Sequence, residues 1–250
     1  MDFLLECIGF PPDYDPAELI DLFDRLGESA PWRDREGRQR RLTLGNGLEI
    51  RLADRDLAGG AEVWPFFTAA DSLRIEVDRL ERLPDSPFDA LLHGWANPTG
   101  ERSAEASARF RFSTWLVDRR RLPATLRRGR VLAVSVAGYA LDVRTVTRAD
   151  LPPAIEPLGG PDDPGGCVEL TLPVLDVDRI DNPVTGTAVQ RLLLDAPGRP
   201  LTVFVSPWQL EEYGLVPPAP GVTIRGTFLF NGRVAGGLPS TTRRLGRSFG

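Results

Sequence analysis

The sequence predicts a mainly β protein with an α+β part at its N-terminus. Glycine and proline make up 48 of the 250 residues and stand between short apolar runs, which favours many short elements joined by turns over a helical bundle. Apolar and polar residues alternate in most of these runs, and this period of two is typical of half-buried strands. A pattern of about 70 residues also occurs twice after residue 72.

The composition is that of a globular protein with a core, since 42% of the residues are apolar and 26% are charged. No apolar run approaches the length of about 18 residues that a membrane-spanning helix needs. The acidic N-terminus lacks the basic and apolar regions of a secretory signal. The two cysteines, Cys7 and Cys167, do not make a disulfide framework. We therefore expect a cytoplasmic protein without a membrane segment.

One helix is predicted near the N-terminus. Asp15 followed by Pro16 predicts its start, because an Asp N-cap and a Pro at the first helical position both suit a helix N-terminus. Gly27 predicts its end. The apolar residues at helical spacing, which share one face of the helix, are Leu19, Ile20, Phe23 and Leu26.

Strand signals surround this helix. The short apolar run at residues 3–8 predicts a strand, and alternating residues on both sides of Gly45-Asn46-Gly47 predict a hairpin. Residues 62–68 and 73–83 alternate in the same way. Residues 1–71 are therefore predicted to be a small α+β domain with one helix and a hairpin.

The chain after residue 72 contains two copies of one pattern. In each copy an alternating run is followed by a polar segment with scattered leucines, a glycine, a β-rich run and a second glycine. The residues matched between the copies are Trp115 with Trp208, Gly129 with Gly221, Gly138 with Gly232, and the Asn-Pro turns at Asn97 and Asn182. An internal duplication is predicted.

Each copy has about five short strands with a short helical insertion after the third, then a glycine and a closing hairpin. This order resembles an OB-fold, a small five-stranded barrel, and residues 220–233 resemble the late strands of such barrels. The resemblance implies two tandem small OB-like β-barrel modules related by internal duplication. The predicted boundaries are residues 72–148 for the first module, 149–166 for a Pro/Gly-rich linker, 167–238 for the second module and 239–250 for a basic tail.

The charges are distributed unevenly, and arginine supplies all 30 basic residues. Residues 1–31 sum to −7, residues 101–148 to +7 and residues 149–200 to −6, within a chain of net charge −5. An acidic chain argues against a dedicated nucleic-acid-binding protein with a wholly basic face. The basic segment could contact a phosphate backbone, or it could pair with acidic segments of this chain or of a neighbour.

The sequence contains no assembled catalytic or cofactor motif, so we expect a non-catalytic protein without a cofactor or a metal. The only histidine, His93, has no second histidine for a metal site and no nucleophile motif beside it, and a structural role is expected. The glycine-rich places lack the pattern of a phosphate loop or a dinucleotide fingerprint. A hydrolase whose two catalytic carboxylates come together only in the folded protein stays an open alternative.

Three aspartates in one apolar run suggest calcium at first sight. The further oxygen ligands, the central glycine and the terminal glutamate of a calcium loop are missing, however. We therefore predict a strand with the aspartates on its outer side and with Leu175 and Val177 on its inner side. The aspartates are Asp176, Asp178 and Asp181.

One pattern in the sequence combines arginines with aromatic residues and suggests a binding site of a known kind. Exposed rings and a basic groove are the means by which proteins hold single-stranded nucleic acid. The candidate binding residues are Arg109, Arg111, Trp115, Arg119, Arg120, Arg121, Arg127, Arg128 and Arg130. The structural alternative is that Phe110 and Phe112 fill the core and that Trp115, matched by Trp208, is a repeated packing residue.

From these observations we expect a non-catalytic binding or scaffold protein that acts through its tandem modules. Its expected partner is a macromolecule, first of all another protein or a second copy of the chain, because blocks of opposite charge suit such contacts. The alternative is single-stranded nucleic acid, bound through residues 102–130.

Overall fold

A computed structural model describes residues 3–29, 38–54, 62–83, 89–98, 109–117, 119–122, 126–146, 151–159 and 165–235. Over these residues the protein is mainly β, as predicted. The strands form one four-stranded sheet and one nine-stranded sheet. No helix within the described ranges is long and apolar enough to cross a membrane.

The four-stranded sheet and two helices form the N-terminal unit. Its elements are α1 (Phe3–Glu6), α2 (Pro16–Leu26), β1 (Glu28–Ser29), β2 (Arg38–Gly45), β3 (Leu48–Asp54) and β4 (Glu62–Phe67). The strands lie in the order β1-β2-β3-β4 and are antiparallel. The predicted hairpin is confirmed, since β2 pairs with β3 and the turn residues Asn46 and Gly47 have φ values of 53° and 82°.

Helix α2 begins and ends where the sequence predicts. The Asp15 side chain accepts a hydrogen bond from the Ala17 backbone N–H at 2.8 Å, Pro16 is the first helical residue, and Gly27 follows the last. The buried residues are Leu19, Leu22 and Phe23. Leu26, which the helical spacing places on the same face, is 63% exposed in the last turn of the helix.

Residues 3–8 form helix α1 and a following turn, so the strand predicted there is wrong. Leu4, Leu5, Cys7 and Ile8 are all buried. A short run that is apolar on every side has no period, and periodicity therefore cannot separate a buried helical turn from a buried strand.

The nine-stranded sheet holds the other strands. They are β5 (Ser72–Arg82), β6 (Ala90–Ala96), β7 (Phe110–Leu116), β8 (Val131–Val146), β9 (Ala154–Pro157), β10 (Cys167–Asp181), β11 (Ala188–Leu194), β12 (Leu201–Val205) and β13 (Thr223–Val234). Their order is β11-β12-β8-β5-β6-β7-β13-β10-β9, with additional pairings of β11 with β10 and of β8 with β13. A short 3₁₀ turn (Arg119–Arg121) follows β7, and helix α3 (Pro207–Glu212) follows β12.

Strands β8 and β13 form the central ladder, in which residues 134–146 pair antiparallel with residues 223–234. Strand β7 runs parallel to β13, and β12 runs parallel to β8. The pairings therefore connect into two closed cycles, β5-β6-β7-β13-β8 and β10-β11-β12-β8-β13, which share the central ladder. Strands from both predicted modules belong to one sheet.

Two of the glycines matched in the sequence occupy matching places. The Gly129 N–H donates to the Val77 carbonyl at 2.7 Å, and the Gly221 N–H donates to the Val174 carbonyl at 2.8 Å. The φ values of these glycines are 80° and 85°, a region that suits glycine. Each contact lies at a β-bulge, in β5 for Gly129 and in β10 for Gly221, and these are the first strands of the two cycles.

The other matched residues do not all correspond. Trp115 lies on strand β7, whereas Trp208 lies on helix α3, so the match between the two tryptophans is wrong. Asn97 follows β6, the second strand of its cycle, whereas Asn182 follows β10, the first strand. Leu175 is the residue at the bulge of β10 and is exposed, so its predicted inward position is also wrong.

Part of the segment predicted to be a linker takes part in the sheet. Residues 154–157 form β9, which pairs antiparallel with residues 168–171 of β10. The Leu158 N–H donates to the Cys167 carbonyl at 2.8 Å, which fixes the next residues beside β10.

The N-terminal unit packs across the central ladder. The ring of Phe67 in β4 meets the ring of Phe204 in β12 edge to face, with centroids 5.1 Å apart. The Asn231 side-chain amide donates to the Pro65 carbonyl at 2.8 Å, and the Asn182 amide donates to the Ile8 carbonyl at 2.7 Å. Both asparagines are fully buried, so these bonds hold the unit in one orientation.

We predict a large loss of stability when the core beneath the ladder is opened. Phe230 is fully buried in β13, and its ring lies 4.8 Å from the ring of Phe112. Phe230→Ala should lower the free energy of unfolding by about 3–5 kcal/mol, because it leaves a cavity that the strands cannot fill. Urea denaturation checks this. Val131→Ala, at the exposed start of β8, is the control and should change stability by less than about 0.5 kcal/mol. Equal losses in the two variants would contradict the prediction.

Candidate functional site

The candidate site lies on the outer face of strands β6 and β7. Their register places Trp95 opposite Arg111, His93 opposite Ser113, and Leu91 opposite Trp115. Side chains alternate along a strand, so these residues share one face of the pair. Phe110 and Phe112 point the other way and are buried in the core, as the structural alternative for these two residues requires.

The exposed end of this face combines a tryptophan with two arginines. The guanidinium carbons of Arg109 and Arg111 lie 4.5 Å and 5.2 Å from the centroid of the half-buried Trp95 ring. These are cation–π distances. Arg109 also contacts Glu76 at 3.1 Å, and this ion pair helps to hold its guanidinium over the indole.

A hollow of about 280 Å³ adjoins Trp95 on the same face. His93 and Ser113 lie on its floor, and the Nδ1 atom of His93 is 2.8 Å from the Ser113 hydroxyl. Residues 157–159 form one wall, so the segment predicted to be a linker shapes the site. Asp78, Arg79 and Arg111 supply the charged groups of the rim.

His93 is held in its neutral form by its surroundings. Burial lowers the pKa of its imidazole, and the neighbouring Arg79 lowers that pKa further, against the opposite effect of Glu81. The Nε2 atom lies 3.9 Å from a Glu81 carboxylate oxygen and has no hydrogen-bond partner among the described residues. The Ser113 side chain is buried, and its hydroxyl orients the His93 ring.

A second group of the predicted arginines borders this hollow. Arg127, Arg128 and Arg130 lie on the turn before β8, and this turn is tied to β5 because the Val77 N–H donates to the Arg130 carbonyl at 2.8 Å. Arg128 pairs with Asp78 of the rim at 2.5 Å. The structure therefore places Arg109, Arg111 and Arg128 at one surface, and Arg127 and Arg130 on the turn that carries Arg128.

The remaining predicted residues lie elsewhere. Arg119 and Arg121 belong to the 3₁₀ turn beyond the far end of β7, and seven strand residues at about 3.3 Å each separate that end from Arg109. Arg121 donates to the Val234 carbonyl at 3.3 Å. The side chain of Arg120 lies outside the described residues.

Trp115 packs inside the protein. Its ring lies against the ring of Trp64, with centroids 4.6 Å apart, and a Cβ atom at Gly166 would collide with the indole. Trp115 thus joins β7 to β4 of the N-terminal unit. Trp95 occupies the accessible position on this face. Its position beside Arg111 could not be predicted from the sequence, because β6 and β7 pair across a long connection.

Comparisons with known proteins identify no relative of this chain. No protein-family model matches the chain, and searches of curated proteins and of solved structures find no similar protein. Within the described ranges, no cluster of three His, Cys, Asp or Glu side chains could hold a metal ion.

We predict that His93 makes stability depend on pH. Its pKa is lower in the folded protein than the value of about 6.5 in an unfolded chain, so the unfolded chain binds more protons between these two values. The free energy of unfolding should therefore fall as the pH falls through 6.5 and below. In His93→Gln this part of the pH dependence should be absent. Urea titrations of both proteins at several pH values measure the difference, and identical slopes would contradict the assignment.

Proposed function

We propose that the protein is a non-catalytic binding protein and that the outer face of β6 and β7 binds single-stranded nucleic acid. The observation that carries this proposal is the half-buried Trp95 ring with the guanidinium groups of Arg109 and Arg111 beside it. A base can stack on an indole or on a guanidinium plane, and the arginines attract the phosphates at the same time.

The charges around the hollow support this ligand. Three ion pairs at this surface join Arg79 with Glu81, Arg109 with Glu76 and Arg128 with Asp78. Among the described residues, Arg111 lines the hollow without a carboxylate partner, so its charge is available to a phosphate backbone. Arg127 and Arg130 are exposed on the adjoining turn.

The pairing of the strands supports the same surface. We propose that the two five-membered cycles are OB-like modules related by duplication. Strand β13 of the second module completes the first cycle, and β8 of the first module completes the second. The matched glycines at the bulges and the helical segment after each third strand support this reading. In OB-folds the face of strands 2 and 3 binds oligonucleotides, and β6 and β7 are the second and third strands of the first cycle.

A protein partner, including a second copy of the chain, is the second proposal. It is supported by the exposed acids Glu18, Asp21 and Asp24 on α2, of which Asp21 and Asp24 also pair with Arg25 and Arg40 of the same chain. Salt-sensitive self-association without oligonucleotide binding would favour this second proposal over the first.

The nucleic-acid proposal is tested by titrating the protein with a 12-nucleotide single-stranded oligonucleotide while tryptophan fluorescence is recorded at low and moderate salt. We expect saturable quenching that weakens as salt is added, because phosphate contacts release counterions. Trp95→Ala should weaken binding between about 5-fold and 150-fold, since one stacked base contributes about 1–3 kcal/mol. Fluorescence anisotropy of a labelled oligonucleotide measures this variant, whose own fluorescence is altered.

Matched variants separate this face from the rest of the surface. Arg111→Ala should weaken binding and reduce its salt dependence, whereas Arg144→Ala, an exposed arginine on β8, should do neither. Trp208→Ala is the aromatic control. A flat titration at low salt, or equal binding by Trp95→Ala and the unchanged protein, would exclude the proposal.

A further inference from the structure

A second surface with different chemistry lies beside helix α3. The hairpin of β10 and β11 forms one side of a groove of about 410 Å³, and α3 with residues 215–217 forms the other. Apolar side chains line most of it, and they are Val177, Ala188, Val189, Pro207, Leu210, Leu215 and Pro217. This groove belongs to the second cycle and does not touch the arginine face.

The walls of the groove are held in place before any ligand binds. The Ser206 hydroxyl accepts a hydrogen bond from the Gln209 N–H at 3.2 Å and so caps α3. After the helix, the Leu215 N–H donates to the Leu210 carbonyl at 2.8 Å. A preformed groove costs little conformational entropy when it is filled.

Two large apolar side chains are exposed in the segment that forms this wall. Tyr213, directly after α3, is 58% exposed, and Val216, between the lining residues Leu215 and Pro217, is 74% exposed. Exposed apolar side chains next to an apolar groove are typical of a surface that another macromolecule covers.

One polar atom in the groove lacks a partner. Gln190 of β11 lines the groove, and its Oε1 atom is buried without a hydrogen-bond donor among the described residues. A buried amide oxygen without a donor is unfavourable, so a ligand gains if it brings an N–H group and the Gln190 side chain turns its oxygen toward the groove. A peptide backbone or side-chain amide supplies such a group.

The groove is surrounded by negative charge. The elements that form it, residues 174–191 and 207–217, carry five acids (Asp176, Asp178, Asp181, Glu211 and Glu212) and two arginines (Arg179 and Arg191). Asp178 pairs with Arg191, while Glu211 and Glu212 are exposed on α3. This excess of acids disfavours a phosphate backbone and favours a basic ligand.

We propose that this groove binds a segment of a partner protein that inserts an apolar side chain between β11 and α3. The segment donates an N–H to Oε1 of Gln190 and places lysine or arginine beside Glu211 and Glu212. The proposal stands on a different surface from the nucleic-acid site, so either one can fail without the other.

The test begins with a phage-displayed library of random dodecapeptides selected on the full-length protein. We expect the selected peptides to combine an apolar residue with lysine or arginine. Synthetic copies are then measured by fluorescence polarisation. Ala188→Arg places a long charged side chain in the groove and should weaken binding at least 10-fold, and Gln190→Leu should weaken it between about 2-fold and 10-fold.

A second variant changes only exposed residues, so it tests the groove even if Ala188→Arg disturbs folding. Glu211→Arg combined with Glu212→Arg changes only exposed positions and should weaken binding of the basic peptides at least 5-fold at low salt. Thr43→Arg, an exposed position on β2, is the control and should bind as the unchanged protein does. Circular dichroism and urea denaturation confirm that each variant is folded.

Three results would overturn the proposal. The selection could yield no peptide that binds, or peptides whose binding the groove variants do not change. The third is self-association, measured by light scattering, that the Ala188→Arg variant abolishes, because the occupant would then be a second copy of this chain.

Discussion

Strand β13 cannot separate from β8 without opening both five-membered cycles, because each of these two strands also closes the cycle of the other half. The N-terminal unit lies across the same ladder, and two fully buried asparagines, Asn182 and Asn231, fasten it to the second half of the chain. The three parts of the molecule thus share one core. The hydrogen bonds and packing of this ladder make the outer surfaces rigid enough to present defined groups to a ligand.

The two outer surfaces have opposite chemistry although the strands behind them are paired alike. The first cycle presents Trp95 beside two arginines and a hollow in which His93 is kept neutral. The second presents an apolar groove, a buried amide oxygen of Gln190 and exposed acids on α3. Like charges repel, so on the two proposals each surface would disfavour the class of ligand that suits the other. Separation by charge would allow both ligands to bind one molecule at once.

Local signals in the sequence were reliable where a few neighbouring residues decide the structure. The Asp15 cap of α2 and the turn at Asn46 depend on residues within a few positions of themselves, and both were predicted correctly. Long-range pairing could not be predicted in this way. Trp95 meets Arg111 only because β6 pairs with β7 in one register after a connection of 13 residues, and no local pattern encodes that register. The arginines of the candidate site could therefore be predicted from the sequence, whereas Trp95 could not.

The shared ladder also has a consequence for ancestry. A single half with these pairings would lack the fifth strand of its own cycle, and it would expose the unpaired edge of its long strand. Two copies that exchanged long strands about a two-fold axis would satisfy each other, so the proposed duplication implies an ancestor that existed as a strand-exchanged homodimer. On this proposal, joining the copies into one chain would remove the requirement that both carry the same residues. One face would then be free to gather arginines while the other gathered acids.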